Sequence, residues 1–178
     1  VVWVHAQAEL IRDPHKDADV LLGTMIDISK RKAAEDALER MTHLYAALSQ
    51  CNQAIVRCTN QQELFPQICR DAVKFGGMCA AWVAMIDPVS GMLRTEASFG
   101  TGAGQLMSLK IPLRDDGAEM PGPVVVSVRE SRPYWCQDFQ RDPCTGTWRE
   151  HAAALGWNAV ASLPLYQAGD VVGVLVVH

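Results

Sequence analysis

The sequence lacks a long apolar segment, an excess of positive charge and the composition of a disordered chain. Its longest apolar run, Met78 to Ile86, is far shorter than the roughly 18 residues that a membrane-spanning helix needs. Sixteen Lys and Arg against 20 Asp and Glu give a net charge of −4, which argues against nucleic acid or an anionic membrane as a partner. With 49% hydrophobic and 20% charged residues, the 178-residue chain has the balance of one globular domain, or of one domain with fragments.

The motifs of several enzyme and metal-site classes are also missing. The sequence contains no Cys-x-x-Cys pair and no His-Glu-x-x-His segment, and the Gly100-x-Gly102-x-Gly104 run leads toward Pro112 instead of opening a helix that could bind phosphate. The chain does not begin with the basic segment of a signal peptide. We therefore expect a cytoplasmic, non-catalytic protein, and the sequence names no metal or cofactor. The six cysteines are interpreted as reduced core residues; they lie at positions 51, 58, 69, 79, 136 and 144.

Glycine and proline are absent from Ser29 to Phe65, which predicts a long helix in this part of the chain. Residues spaced alternately by four and three positions form a heptad seam that is typical of a coiled coil: Ala34, Leu38, Met41, Tyr45, Leu48, Asn52 and Ile55. A parallel homodimer through residues 31–58 is the expected result, with Leu38, Met41, Tyr45, Leu48 and Asn52 at the interface. A second stripe of Leu44, Cys51 and Cys58 would then contact the helix's own domain; a single wide core face is the alternative.

The rest of the pattern predicts an α+β fold, in which an antiparallel sheet carries helices on its faces. Two apolar strands, 1–11 and 20–28, form a hairpin across a polar turn, and such a hairpin is marginally stable alone. Asn60 and Glu63 form a capping box that opens a second helix, which stops at Gly76-Gly77. The remaining prediction is strands 78–87, 92–99 and 106–113, a polar loop 114–122, helix 123–130, strand 134–139, helix 147–155 and strands 159–165 and 171–177.

Several segments in the second part of the chain carry a family resemblance: Leu44 to Val56, Glu63-Leu64-Phe65, Ala81 to Asp87, Asp138 with Asp142-Pro143, and most specifically Ala161 to Leu165 followed by Gly169 to Leu175. Through these segments, residues 44–178 resemble a GAF domain. The resemblance implies a GAF-like antiparallel sheet with flanking helices, here without the helix that normally closes such a domain. The chain is therefore expected to be a fragment of a longer protein.

Residues 1–29 resemble the closing strands of a PAS domain, through Gly23 to Ser29 and the following Arg31 to Glu35. Residues 30–58 would then be a signalling helix that merges into the first GAF helix. The resemblance implies a non-catalytic sensory and dimerisation module of a signal-transduction protein. Its output domain would be a kinase, a cyclic-dinucleotide cyclase or a phosphodiesterase.

The family position of the ligand, between the sheet and the central loop and helix segment, implies a small-molecule cleft rich in aromatic side chains. Six residues are predicted to line it: Trp82, Phe99, Trp135, Asp138, Trp148 and His151. The competing interpretation is that Trp82 and Trp157 are simply core and that Asp138 caps the nearby loop or the helix after it. The alternative function is a thiol redox sensor, or a GAF-type redox enzyme, that uses Cys136 and Cys144.

Overall fold

The computed structural model describes residues 1–13, 18–113 and 121–178. The predicted polar turn at 14–17 and most of the predicted loop 114–122 lie outside these ranges. The described chain forms two compact units, Val1–Thr42 and His43–His178. Each is presented on its own below.

The first unit contains a two-stranded antiparallel hairpin of β1 (Val4–Asp13) and β2 (Ala18–Asp27). It is followed by the first part of helix α1 (Ser29–Arg57). The backbone N–H of Ser29 donates to Asp27 Oδ1 at 2.8 Å, and the N–H of Trp3 donates to Ser29 Oγ at 2.9 Å. Hydrogen bonds from the Ser29 side chain and from the Ser29 backbone N–H lower the pKa of Asp27. The contacts of Ser29 fix the point at which the helix begins.

The register of the hairpin gives it one mainly apolar face. Residues directly opposite one another in an antiparallel pair point to the same side, and side chains alternate along each strand. Leu10 pairs with Leu21 and Ala6 pairs with Met25, so these four side chains share one face. Leu10, Leu21 and Met25 are all more than 60% exposed. Within the first unit, the described part of this face is uncovered.

The second unit is built on a six-stranded antiparallel sheet, as the sequence predicts. Its strand order is β5-β4-β3-β8-β7-β6, so β3 and β8 lie at the centre. The strands are β3 (Ala80–Ile86), β4 (Met92–Gly100), β5 (Lys110–Pro112), β6 (Tyr134–Cys136), β7 (Val160–Gln167) and β8 (Asp170–Val177).

Helices cover both faces of this sheet. Helix α2 (Gln61–Gly76) packs on one face, and the other face carries α3 (Ala103–Leu106), α4 (Pro123–Arg129), a 3₁₀ turn (Pro143–Trp148) and α5 (Arg149–Leu155). The predicted N-cap is confirmed, because the Glu63 N–H donates to Asn60 Oδ1 at 2.9 Å. The Glu63 carboxylate accepts from the Asn60 side-chain amide at 3.1 Å, so only half of the predicted capping box is formed. Helix α2 ends before Gly77, at φ +72°.

The predicted strand over 106–113 is wrong for its first half. Leu106 closes the short helix α3, and only Lys110–Pro112 pairs with β4. The reason is local: Gly102 at φ +78° turns the chain, and the N–H of Leu106 then donates to the Gly102 carbonyl. Likewise β6 ends at Cys136, three residues before the predicted Phe139.

Side-chain alternation divides the core into two layers. Ala81, Val83 and Ala97 face α2 together with Cys69 of that helix. Trp82, Ala84, Val174 and Val176 face the opposite side, where α3, α4 and α5 lie. The second layer contains the larger core cluster, and it is the layer in which the candidate site is found.

Candidate functional site

Aromatic and imidazole rings collect in the second layer. We call this group the ring cluster; its members are Trp82, Phe139, Trp148, His151, Trp157 and His178. Sheet strands, the 3₁₀ turn and α5 all contribute to it. Three members, Trp82, Trp148 and His151, are among the six residues that the sequence predicted for a cleft. The structure therefore brings half of the predicted set to one side of the sheet.

His178 lies at the centre of the ring cluster. Its backbone extends the ladder beyond β8, since its N–H donates to the Ala80 carbonyl at 2.9 Å. It continues the alternation of Val174 and Val176, which places the imidazole in the same layer. The indole Nε1 of Trp82 donates to His178 Nε2 at 3.3 Å. The Trp157 ring stacks on the imidazole, with centroids 3.9 Å apart and planes 13° from parallel.

Burial keeps the His178 imidazole neutral. It lowers the pKa of this group to about 4, although the backbone at Ala159 acts in the opposite direction. Because Trp82 Nε1 is only a donor, His178 Nε2 must be the acceptor, and the proton of the neutral ring lies on Nδ1. The remaining described interaction of hydrogen-bond type at this ring is with the Ala159 backbone, at a geometry outside the strict hydrogen-bond limits.

The end of α5 positions Trp157. Gly156, at φ +71°, closes the helix, and the N–H of Trp157 donates to the Ala152 carbonyl at 2.8 Å, the bond of a Schellman motif. The residue after such a glycine commonly packs back on the helix. Gly102 permits the close approach of the neighbouring loop, since a Cβ there would lie 2.7 Å from Leu155 and 3.2 Å from the Trp157 ring.

His151 connects the buried rings to the outer ones. Its ring lies edge-on to Trp157 at 6.1 Å and edge-on to Trp148 at 6.2 Å between centroids. Trp157 is 4% exposed, whereas His151 and Trp148 are half-buried. The rings therefore form a continuous series from the half-buried side chains to the interior. Edge-to-face arrangements of this kind are the favourable ones for aromatic pairs.

Buried polar atoms without partners accompany these rings. Within the described part of the chain, neither the Trp157 Nε1–H nor the Ser162 Oγ has a hydrogen-bond partner. Ser162 does use its backbone carbonyl, which accepts from Ser127 Oγ at 3.0 Å. A buried donor without an acceptor costs about 1–3 kcal/mol. Such atoms call for a partner, and the described residues supply none.

The structure does not bring Phe99, Trp135 and Asp138 to this cluster. Phe99 pairs with Ala81 and therefore lies in the layer that faces α2. Trp135 is 68% exposed, because its neighbours Tyr134 and Cys136 take the inward positions of β6. These two corrections follow from strand register, which the sequence pattern left undetermined.

Asp138 stabilises a surface turn, the alternative that the sequence already offered. Its carboxylate is about half exposed and accepts from the backbone N–H of Gln140 at 3.1 Å. Arg141 Nε lies 3.4 Å from the other carboxylate oxygen. Both contacts are local, so Asp138 is not a residue of the ring cluster.

The two candidate redox cysteines share one polar network. Tyr134 Oη donates to Asp142, with both carboxylate oxygens within 2.9 Å, and the Cys144 N–H donates to Asp142 Oδ1 at 2.9 Å. Burial and the nearby Asp142 carboxylate raise the pKa of the Cys136 thiol to about 11. Burial, together with hydrogen bonds to Cys144 and Asp142, also raises the pKa of Tyr134. This environment disfavours a reactive thiolate at Cys136.

Sequence reasoning did not assign three members of the ring cluster to the cleft: Phe139, His178 and Trp157, the last of which it interpreted as core. For two of them, the sequence contains a feature that predicts their position. His178 follows the inward Val174 and Val176 at a spacing of two, and Trp157 comes directly after the Gly156 that ends a helix. Among the described residues, no group of three or more His, Cys, Asp or Glu side chains has the arrangement of a metal site. In the same ranges, no helix combines the length and the apolar character needed to cross a membrane.

Comparisons with known proteins identify the family. Residues 58–178, more than half of the chain, match the family model described as GAF domain. The chain therefore belongs to the GAF domain family, whose members are sensory and regulatory modules of signalling proteins. A comparison with curated proteins finds no significant match.

Solved structures share the fold at low sequence identity. The GAF domain of a phosphoenolpyruvate-protein phosphotransferase from Coxiella burnetii is 18% identical, with a TM-score of 0.61, over 78% of this chain and 77% of that one. The nlh2 GAF domain from A. aeolicus is 12% identical, with a TM-score of 0.61, over 78% and 80%. A free methionine-R-sulfoxide reductase from Neisseria meningitidis, solved with its substrate, is 13% identical, with a TM-score of 0.60, over 78% and 73%.

Proposed function

We propose that this chain is a non-catalytic sensory and dimerisation module of a signalling protein, and that the ring cluster is its receptor site. The observation that carries the proposal is the combination of stacked rings with buried polar atoms that have no described partner. Ligand pockets in proteins are typically apolar and aromatic, with a few polar groups that orient the ligand. A small molecule bound among these rings would supply the missing hydrogen bonds.

The signal would leave the receptor site through a coiled coil of residues 31–58 in a parallel homodimer. The exposure of the seam supports this part of the proposal. In the first unit, Leu38 and Met41 are 69% and 56% exposed, and in the second unit Tyr45 and Leu48 are 70% and 60% exposed. Asn52, at an a position of the same seam, is also exposed and would favour a dimer in register. Coiled coils have discrete packing arrangements, so a small rotation can be transmitted along them.

The two faces of α1 within the second unit also fit this role. Ala54 is buried, and a Cβ at Gly76 would lie 3.3 Å from Ala47 Cβ, so small side chains face the domain. Tyr45, Leu48 and Ile55 point to solvent. Of the predicted second stripe, Cys51 and Cys58 are half-buried, whereas Leu44 is 44% exposed. One helix thus has a narrow domain-facing side and an apolar outer side.

The proposal also covers the hairpin and the output domain that the module would regulate. The hairpin would be the end of a PAS domain, and the module would regulate a kinase, a cyclic-dinucleotide cyclase or a phosphodiesterase in the cytoplasm. The absence of catalysis is supported by the chemistry of Cys136, whose raised pKa makes the thiol a poor nucleophile. The redox alternative therefore has less physical support than ligand sensing.

A metabolite screen by thermal unfolding tests the receptor role. We expect at least one small metabolite to raise the Tm of the wild-type chain and of Trp135→Ala, but not of Trp148→Ala. Trp135 is the matched control, because it is an exposed tryptophan outside the ring cluster. A ligand at 100 times its Kd adds about 2.7 kcal/mol of stability, which corresponds to roughly 5–10 °C for a chain of this size. Equal shifts in Trp148→Ala, or no shift with any compound, would contradict the proposal.

A further inference from the structure

A cleft separate from the ring cluster lies at the turn that joins β3 to β4. We call it the turn cleft; its volume is about 210 Å³, and it is lined by Asp87, Ser90, Met92, Arg94 and Lys110. Arg94 pairs with Met85, whose side chain packs in the layer that faces α2. Paired residues project to the same side of a sheet, so Arg94 lies on the face opposite to the ring cluster. The turn cleft and the ring cluster share no residue.

Two cationic side chains of the turn cleft stand side by side on neighbouring strands. Arg94 of β4 and Lys110 of β5 are direct partners in the antiparallel ladder, and both are exposed. Such partners have Cβ atoms about 4.5–5.5 Å apart, and like charges at this spacing destabilise the pair. An anion bound between the two side chains would replace this repulsion by two attractions.

The one acidic residue among the five that line the cleft is already bound within its own turn. Asp87 Oδ1 accepts from the Val89 N–H at 3.0 Å, and Asp87 Oδ2 accepts from Ser90 Oγ at 2.8 Å. The Ser90 side-chain hydrogen bond is the main reason why the pKa of Asp87 is lowered, followed by the Val89 hydrogen bond, and the charge of Arg94 contributes least. The lining therefore carries two positive charges against one negative charge that stabilises the turn.

The number and kind of the cations indicate the class of ligand. Arginine presents a planar fork of N–H groups that binds phosphate oxygens in pairs, and lysine adds a compact positive charge. A phosphate group carries about 1.5 to 2 negative charges at neutral pH, which matches two cations, whereas a carboxylate carries one. Met92 is half-buried at the same cleft and offers an apolar surface to the rest of a ligand.

We propose that the turn cleft binds the phosphate group of a small molecule. Arg94 and Lys110 donate hydrogen bonds to the phosphate oxygens, and the bound charge relieves the repulsion between the two side chains. Both cations are exposed, so the interaction is weak and screened by salt, with a Kd on the order of 1 mM. This site goes beyond the receptor role of the ring cluster and does not depend on it.

Titration of the ¹⁵N-labelled chain with inorganic phosphate, with sodium chloride holding the ionic strength constant, tests the assignment. We expect the backbone amide resonances of Arg94 and Lys110 to shift and to saturate in the millimolar range. Arg94→Gln and Lys110→Gln should each weaken binding at least fivefold. Lys74→Gln, at an exposed lysine of α2 outside the cleft, is the matched control and should bind phosphate like the wild type.

Two further measurements sharpen the test. Acetate should bind at least fivefold more weakly than phosphate, because it brings one charge to two cations. Without phosphate, Lys110→Gln should have a Tm equal to or above that of the wild type, since it removes a like-charge contact. A weaker affinity in this variant then reports the lost cation and not a damaged fold.

The contrary outcomes are distinct from one another. Equal binding of acetate and phosphate would overturn the phosphate assignment, and an equal loss in Lys74→Gln and Lys110→Gln would show general attraction to surface charge. A shift that appears only in Asp115→Asn combined with Asp116→Asn would show that acidic residues of the chain itself occupy the cations. Binding to vesicles that contain phosphatidic acid, without binding of free phosphate, would indicate a lipid surface instead. No shift in any chain at tens of millimolar phosphate would remove the site, and would leave the metabolite screen of the ring cluster unaffected.

Discussion

His178 is a buried imidazole that the fold holds in its neutral state. Its neighbours are the indole N–H of Trp82, the stacked ring of Trp157 and the more distant ring of Phe139 at 6.4 Å. None of these groups bears a charge that could stabilise an imidazolium. The native state therefore binds a proton at His178 less readily than the unfolded chain does.

This difference predicts a loss of stability in mild acid. The pKa of His178 is lowered from 6.5 to about 4 in the folded state. Between these values the unfolded chain binds more protons, so the free energy of unfolding must fall as the pH decreases from about 6.5 to 4. The expected contribution of this residue is about 3 kcal/mol across the window.

Urea denaturation from pH 7 to pH 4.5 measures the effect. We expect His178→Phe to be less stable at pH 7, because Trp82 Nε1–H loses its acceptor, yet to have a flatter pH dependence than the wild type. His43→Gln, at an exposed histidine of the same unit, should keep the wild-type slope. A wild-type slope in His178→Phe would show that other groups cause the acid sensitivity.

The Cys136 thiol is predicted to be unreactive in the folded protein. Its pKa of about 11 leaves very little thiolate at pH 7.5, and the side chain is 5% exposed. Its reaction with a disulfide reagent such as DTNB in the folded protein should therefore be at least 100-fold slower than that of the exposed Cys79. Cys79→Ser and Cys136→Ser assign the two phases. A rate at Cys136 equal to that of Cys79 would favour the redox alternative.

Single residues also show where sequence reasoning reached its limit. Trp82, Trp148 and His151 could be placed near one another because family position and pattern agree on their elements. Phe99 could not, since its side of the sheet depends on the irregular register between Val83 and Ala84 in β3. Asp138 was ambiguous for a chemical reason, because the same carboxylate suits a turn as well as a ligand.

At the scale of elements, the sequence predicted best the segments with strong local signals. The boundaries of α2 follow from the hydrogen bond between Asn60 and Glu63 and from Gly77, and β3 from an unbroken apolar run. The prediction failed in 106–113, where apolar residues occur in both a short helix and a short strand. Apolar spacing alone does not distinguish these two structures over so few residues.

The heptad seam of helix α1 (Ser29–Arg57) is predicted to hold two copies of the chain together. Leu38→Asp combined with Met41→Asp places charges at two seam positions, and we expect it to convert a dimer to a monomer at tens of micromolar. Light scattering or sedimentation reports the mass. Ala33→Asp combined with Arg40→Asp is the matched control, because both residues are exposed and outside the seam. A monomeric wild type, or equal masses for both double variants, would contradict the coiled coil.

The direction of the helices needs a separate measurement. In a parallel dimer, equivalent a positions of the two copies face each other, whereas in an antiparallel dimer they do not. Tyr45→Cys places a thiol at such a position. Under mild oxidation it should form a disulfide with the same residue of a second copy, identified by mass spectrometry of the linked peptide. Failure to link in a chain that remains dimeric would favour an antiparallel arrangement.

At the scale of the whole molecule, the two units differ in how they are stabilised. The second unit buries side chains on both faces of a six-stranded sheet, including Trp82 and Val83 at 3% and 1% exposure. The hairpin of the first unit leaves Leu10, Leu21 and Met25 exposed on one face. A two-stranded sheet without a covered face is marginally stable in water. The hairpin is therefore expected to depend on other surfaces for its order.

Limited proteolysis tests this difference between the units. We expect early cleavage between Ile28 and Arg31, after which a fragment containing the second unit should retain its cooperative thermal unfolding. The physical reason is that local opening of the hairpin exposes little additional apolar area, whereas opening of the sheet exposes two core layers. A chain that begins at Arg31 is the control, and its Tm should lie within a few degrees of that of the full chain. The prediction would be overturned by a synthetic 1–29 peptide that is monomeric, resists protease and has the circular dichroism of a sheet.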